Sequence, residues 1–175
     1  FLSYPVNPQA CKHVGVIIKH LIGQGEALGG HNSGTVPIGQ REFIEVYEPM
    51  LYSIRHAVGV MAAYNDIDGV PCHANRWLLN GLLRKKVGFQ GIVMADGTAL
   101  DRLTDLYGSQ VKAVHAALMA GVDLSLWDEV YLKIGSAINQ YPGLIAQLDE
   151  AVSRVLATKF LLGLFDEKFK SNATN

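Results

Sequence analysis

Residues 59–96 read GVMAAYNDIDGVPCHANRWLLNGLLRKKVGFQGIVMAD, and the fold turns on this stretch. It opens on a near-continuous apolar run at 59–64 and closes on another at 91–95. Neither run alternates apolar with polar residues, so each predicts a strand buried on both faces, as in a parallel sheet. Between them, 75–87 sets Leu78, Leu79, Leu82 and Leu83 at helical spacing. Strand, helix and strand in that order make a βαβ unit, whose strands run parallel.

The same alternation continues outward. Similar apolar runs lie at 14–19 (VGVIIK) and 122–126 (VDLSL). A helix is predicted over 41–57 from Phe43, Ile44, Tyr47, Leu51 and Ile54. Further helices are predicted over 110–120, 129–139 and 148–162, the last stopped by Gly163. The order is β-α-β-α-β-α-β-α. A (β/α)8 barrel of the TIM type takes about 250 residues, so about four βα units make either half a barrel or a small open α/β domain. Residues 24–40 form the longest loop, after the first strand, and chemistry in α/β folds gathers at such C-terminal strand ends. Domain boundaries follow: a lead-in at 1–13, the α/β region at 14–165, and a tail or linker at 166–175.

Composition narrows the partners. The chain has 175 residues, 49% hydrophobic and 18% charged, with a formal net charge of −1. No field of one sign draws it to nucleic acid or to anionic lipid. No apolar run reaches the roughly 18 residues of a membrane helix. Residues 1–10 lack the basic start and long apolar stretch of a signal peptide, which leaves cytoplasmic and secreted locations both open. Cys11 and Cys72 form no CxxC pair and no metal spacing, and are read as free thiols rather than a disulfide. No metal and no cofactor is expected. Gly25, Gly29 and Gly30 are too loosely spaced for a phosphate loop. Asp66 and Asp68, in the turn DIDG, fit a cap better than a calcium loop. The sequon at Asn172 carries little weight.

Ionisable groups collect where the strands end. The first run stops at Lys19-His20, the second at Tyr64-Asn65-Asp66 and the third at Asp96, while the fourth carries Asp123 and leads to Trp127-Asp128. One such residue is ordinarily a strand cap. Four strands sharing the habit suggest a common mouth in which a cation, an imidazole, a phenol and a carboxylate meet. His73 is expected at a loop or helix start, Asp101 and Asp105 on a solvated loop, and His115 packed on a helix.

Several of these strings together resemble glycoside hydrolase family 3. Lys19-His20 in IIKHLIGQGEALGGHN resembles that family's Lys-His motif, and Arg41-Glu42 in GQREFIEVYEP is similar to its Arg-Glu helix start. The stretch 59–96 resembles its most characteristic segment, which ends on the nucleophile aspartate, here Asp96. LLGLF at 161–165 is similar to the end of its barrel domain. The resemblance implies strands five to eight of a (β/α)8 barrel, with the other half-barrel and a second domain completing the enzyme. It implies a retaining exo-acting β-glycosidase in which Asp96 attacks the sugar. Lys19 and His20 would bind sugar hydroxyls, with Lys19 also helping to keep Asp96 ionised. Tyr64 would sit beside the nucleophile, and Met61 would offer apolar sugar-facing surface or serve as strand core.

Departures bear on substrate. His31, in GGHN, stands where many members have arginine, and an imidazole does not replace a bidentate guanidinium. Gly97 stands where many β-glucosidases have tryptophan. The usual acid/base is a glutamate of the second domain; one branch uses an Asp-His dyad on the loop that here holds His31, but no Asp precedes it closely. His31 is therefore read as a loop residue or sugar ligand rather than the acid. Two rivals stay open: a catalytically inactive half-barrel that binds sugar weakly, and an aldolase-like barrel with Lys19 as Schiff-base amine. A half-barrel would expose two strand edges, so pairing with its missing half, a homodimer or aggregation is expected.

Overall fold

The computed structural model describes residues 14–165. Cys11, the lead-in 1–13, the tail 166–175 and the Asn172 sequon lie outside the described residues. The described residues begin with β1 (Ile17–Leu21), pass two short helical turns, and form β2 (Thr35–Val36). A continuous helix follows: α1 (Gln40–Glu42), a wider π-type stretch (Phe43–Tyr47), then α2 (Glu48–Ser53). Next come β3 (Gly59–Ala62), a small hairpin of β4 (Asp66–Ile67) and β5 (Val70–Pro71), a 3-10 turn (Cys72–Ala74) and the π-type helix Trp77–Lys86. Then come β6 (Ile92–Met94), α3 (Ala99–Tyr107), α4 (Gln110–Ala120), α5 (Ile134–Gln140) and α6 (Ile145–Leu161).

The main sheet has the order β1-β3-β6, all parallel, as the apolar runs require. Its two faces differ. Val60, Ala62, Val93 and Ala95 are fully buried against the helices, together with Leu78, Leu79 and Leu83. Burial of one such leucine contributes roughly 1.5–3 kcal/mol. By the two-residue period, Lys19, Gly59, Met61, Ile92 and Met94 share the opposite face. Gly59 is required there: a Cβ would stand 2.5 Å from Ile17 Cδ1 and 2.6 Å from Ile92 Cγ1.

Several expectations need correction. The fourth run does not form a strand; it pairs only at the parallel bridge Met94–Leu124. The cause is Asp123, whose Oδ2 accepts the Val93 N–H at 2.8 Å and takes the place of a ladder carbonyl. Nor does Asp123 face the mouth. Its side chain is wholly buried between Arg84 (2.6 Å) and Arg154 (2.9 Å). Burial pushes its carboxyl pKa up, and the two guanidiniums pull it back. Asp101 and Asp105 are not on a loop but on α3, whose Ala99, Leu100 and Leu103 pack into the core. The first helix ends at Ser53, short of 57, and α6 starts at Ile145 rather than 148. The loop 24–40 carries β2, which pairs with β4. His115 is packed as expected, its ring 4.3 Å from that of Tyr141.

Candidate active site

Asp96 lies two residues past β6, at the C-terminal edge of the sheet, with 9% of its surface exposed. Its Oδ1 accepts the N–H of Gly97 at 2.8 Å, which fixes the carboxylate plane. Its Oδ2 is buried and receives no well-directed hydrogen bond. His20 Nε2 lies 3.3 Å from Oδ2. One oxygen is thus held by a backbone N–H and the other has no directed donor.

The register explains how His20 arrives there. Lys19 pairs with Met61, yet Leu21, not His20, pairs with Ala62. His20 is the extra residue of a β-bulge, a device that re-aims one side chain without ending the strand. In regular pairing it would stand opposite Ala62 and face the helices. Lys19, on the open face, is exposed and makes no ion pair among the described residues. The expected cation at the carboxylate is therefore replaced by the His20 imidazole.

Tyr64 closes the other side. Its hydroxyl donates to the Gly97 carbonyl at 2.7 Å, and the Arg102 guanidinium lies 4.6 Å above its ring. Burial raises its pKa most, the charge of Asp96 and its side-chain contact with the phenol raise it further, and Arg102 opposes them. The phenol stays protonated at neutral pH and able to donate. Asn65, fully buried, donates to the Ile22 carbonyl at 3.1 Å and so ties the end of β1 to that of β3. Met61 is buried but stands apart from the main hydrophobic cluster, on the open face. His31 is exposed. Its loop reaches the site through Ser33, whose hydroxyl accepts from Arg102 at 2.7 Å.

Sequence reading missed His73. It sits in the turn Cys72–Ala74, 2% exposed, and its Nε2 accepts the backbone N–H of Asp96 at 3.0 Å. Burial lowers its pKa to about 4, against the pull of Asp96 in the other direction. The imidazole is neutral at pH 7, and with Nε2 accepting, its proton is on Nδ1. The only sequence signal was a histidine in a short turn before a helix, which is common. A cleft of about 210 Å³ beside Tyr64 is lined by Ser33, Asp66, His73 and Arg102 among others.

The site thus sets a buried carboxylate at a strand end, an imidazole 3.3 Å from one of its oxygens and a tyrosine nearby. The glycosyl hydrolase family 3 N terminal domain model matches residues 7–158. The chain belongs to glycosyl hydrolase family 3. It is 37% identical over 164 residues to a putative beta-xylosidase of Formosa agariphila, covering 90% of this chain and 22% of that protein. It is 35% identical over 164 residues to the periplasmic beta-glucosidase of Salmonella typhimurium, covering 87% and 20%. The crystal structure of a beta-glucosidase from Listeria innocua in complex with isofagomine superposes with a TM-score of 0.84 at 27% identity. It covers 97% of this chain and 25% of that one. The chain thus spans about a quarter or less of these family 3 relatives.

Proposed function

We propose that this chain carries the nucleophile of a retaining, exo-acting β-glycosidase that acts on terminal β-linked sugars. The observation that carries the reading is the Asp96 carboxylate. Gly97 N–H clamps one oxygen at 2.8 Å, and the other is buried without a directed donor. Such an oxygen is desolvated and has no donor to satisfy it, which suits a carboxylate that bonds to an anomeric carbon. Attack by Oδ2 forms an acylal-type C–O bond as the glycosidic bond breaks. A proton donor on the opposite face, about 5–5.5 Å from the nucleophile, neutralises the leaving oxygen. Water then releases the sugar with retained configuration.

In this reading the parallel sheet β1-β3-β6 is a sector of a (β/α)8 barrel, strands five to seven, with the Leu124 bridge as the remnant of the eighth. The remaining strands and a second domain supply the acid and the rest of the sugar site. His20 holds a sugar hydroxyl beside the Asp96 carboxylate, and Tyr64 orients the Gly97 carbonyl beside it. Lys19 and His31, both exposed, reach sugar hydroxyls from the rim, and Met61 lines the floor. The beta-xylosidase and beta-glucosidase names of the relatives support glucosides or xylosides as substrates. In the enzyme that contains this chain, Asp96→Ala should reduce turnover of aryl β-glucosides and β-xylosides to background. Turnover near the parent rate would end the reading in favour of a non-catalytic sugar-binding piece.

A further inference from the structure

Gly97 has no side chain, and the place beside it is taken. A Cβ built there would stand 3.2 Å from Trp127 Cε3, 3.5 Å from Trp127 Cζ3 and 3.6 Å from the Tyr64 hydroxyl. The Trp127 indole therefore lies against the residue that clamps the Asp96 carboxylate. It is nonetheless 82% exposed. Within the described residues this large apolar side chain is left uncovered.

The backbone holds it there. Trp127 has φ 61, in the left-handed region that bulky residues avoid. Such a conformation persists only where neighbours over-determine it. Here the restraint is reciprocal. Asp128 accepts the N–H groups of Leu100 (2.7 Å) and Leu126 (3.0 Å), pinning the strap to the start of α3. Asp101, on α3, accepts those of Glu129 (3.0 Å) and Val130 (2.8 Å). Thr98 N–H donates to the Leu126 carbonyl at 2.9 Å. These bonds bracket Trp127 on both sides and present its ring at the edge of the Asp96 mouth.

We propose that Trp127 is a stacking platform for the pyranose ring of a β-glycoside held at Asp96. The inference rests on the reading of Asp96 as nucleophile. One face of a β-linked pyranose is a sheet of axial C–H groups, apolar and slightly positive. The face of an indole is apolar and negative, so the two pack closely while the sugar hydroxyls stay free for His20 and its neighbours. The mouth thus takes its aromatic surface from the loop after the Leu124 bridge, and Gly97 is small so that this ring fits. A side chain at 97 would crowd the indole at 3.2 Å, so the two compete for this place.

The test uses the enzyme that contains this chain, with Trp127→Ala, Trp127→Phe and the parent compared on p-nitrophenyl β-glucoside and β-xyloside. Asp96 labelling by a 2-deoxy-2-fluoro glycoside is read on the same samples. Trp127→Ala should raise KM by about tenfold, with kcat and melting temperature nearly unchanged, and Trp127→Phe should recover most of the loss. Labelling intact with KM within about twofold of the parent overturns the platform alone. So does a melting temperature lowered alike in both variants, which marks Trp127 as packing. Failure to label Asp96 in the parent overturns the reading beneath, and the platform with it.

Discussion

The backbone N–H of Asp96 donates to Nε2 of His73 across 3.0 Å, so a buried neutral imidazole sets the position of the mouth's carboxylate. The two residues lie 23 apart in sequence and arrive from different elements. The hydrogen bond needs the Nε2 lone pair. Protonating His73 would remove the acceptor and place a charge where burial opposes it.

Stability should therefore fall on acidification. His73 has a folded pKa of about 4 against an ordinary 6.5. Above the higher value both states are neutral and nothing is lost. Between the two, the unfolded chain binds a proton that the native chain refuses. The loss approaches about 3 kcal/mol at the lower value and then levels off. His73→Gln keeps an acceptor but cannot titrate. Urea unfolding at pH 7 and near pH 4 should show this extra loss in the parent and not in His73→Gln; equal pH slopes would contradict it.

Removing Asp123 should destabilise strongly. It is the wholly buried partner of Arg84 and Arg154 and the acceptor for the Val93 N–H. Asp123→Asn would leave two guanidiniums poorly compensated in a largely buried setting, at a cost of about 3–5 kcal/mol. Denaturant midpoints at constant slope measure it, and a loss under about 1 kcal/mol would place the triad among weak surface pairs.

The Cys72 thiol should be inert in the native protein. It is fully buried, and burial pushes its pKa up to about 12. Thiolate, not thiol, is the nucleophile, so alkylation at pH 8 should leave the Cys72 peptide unmodified until denaturant is added. Peptide mass spectrometry reads this residue separately; modification under native conditions would show that the turn 72–74 opens.

The parallel α/β order was legible from four apolar runs, because strands buried on both faces leave a local mark. The closeness of His20 and Asp96 was legible too, since both end strands of one sheet. What was hidden depends on pairing between distant segments. Nothing local announces that His20 occupies a bulge, so Lys19 looked the nearer partner of Asp96. Asp123 looked like a mouth residue because only the fold brings Arg84 and Arg154 to it. Its carboxylate then replaces a ladder partner of Val93, and the fourth strand shrinks to one bridge. The segment 99–107 reads as polar loop until Leu100 and Leu103 are seen to meet the core. There Asp101 serves as a cap for the strap that holds Trp127.

The isolated chain is expected to associate. β1 lies at an edge of the main sheet, with Val16 55% and Ile18 37% exposed. Apolar strand edges recruit further strands. Sedimentation velocity should show dimers or larger species. A single sharp boundary at the 19.0 kDa monomer mass with cooperative unfolding would contradict this.

The most direct measurement is trapping of the covalent intermediate. A 2-deoxy-2-fluoro β-glucoside or β-xyloside with a good leaving group slows release of the sugar, so the glycosyl-enzyme accumulates. In the enzyme that contains this chain, mass spectrometry of the tryptic digest should find one added fluorosugar on the peptide 87–102, at Asp96, lost in Asp96→Ala. A label on any other carboxylate, or inactivation with no covalent mass, would contradict the assignment of Asp96 as nucleophile.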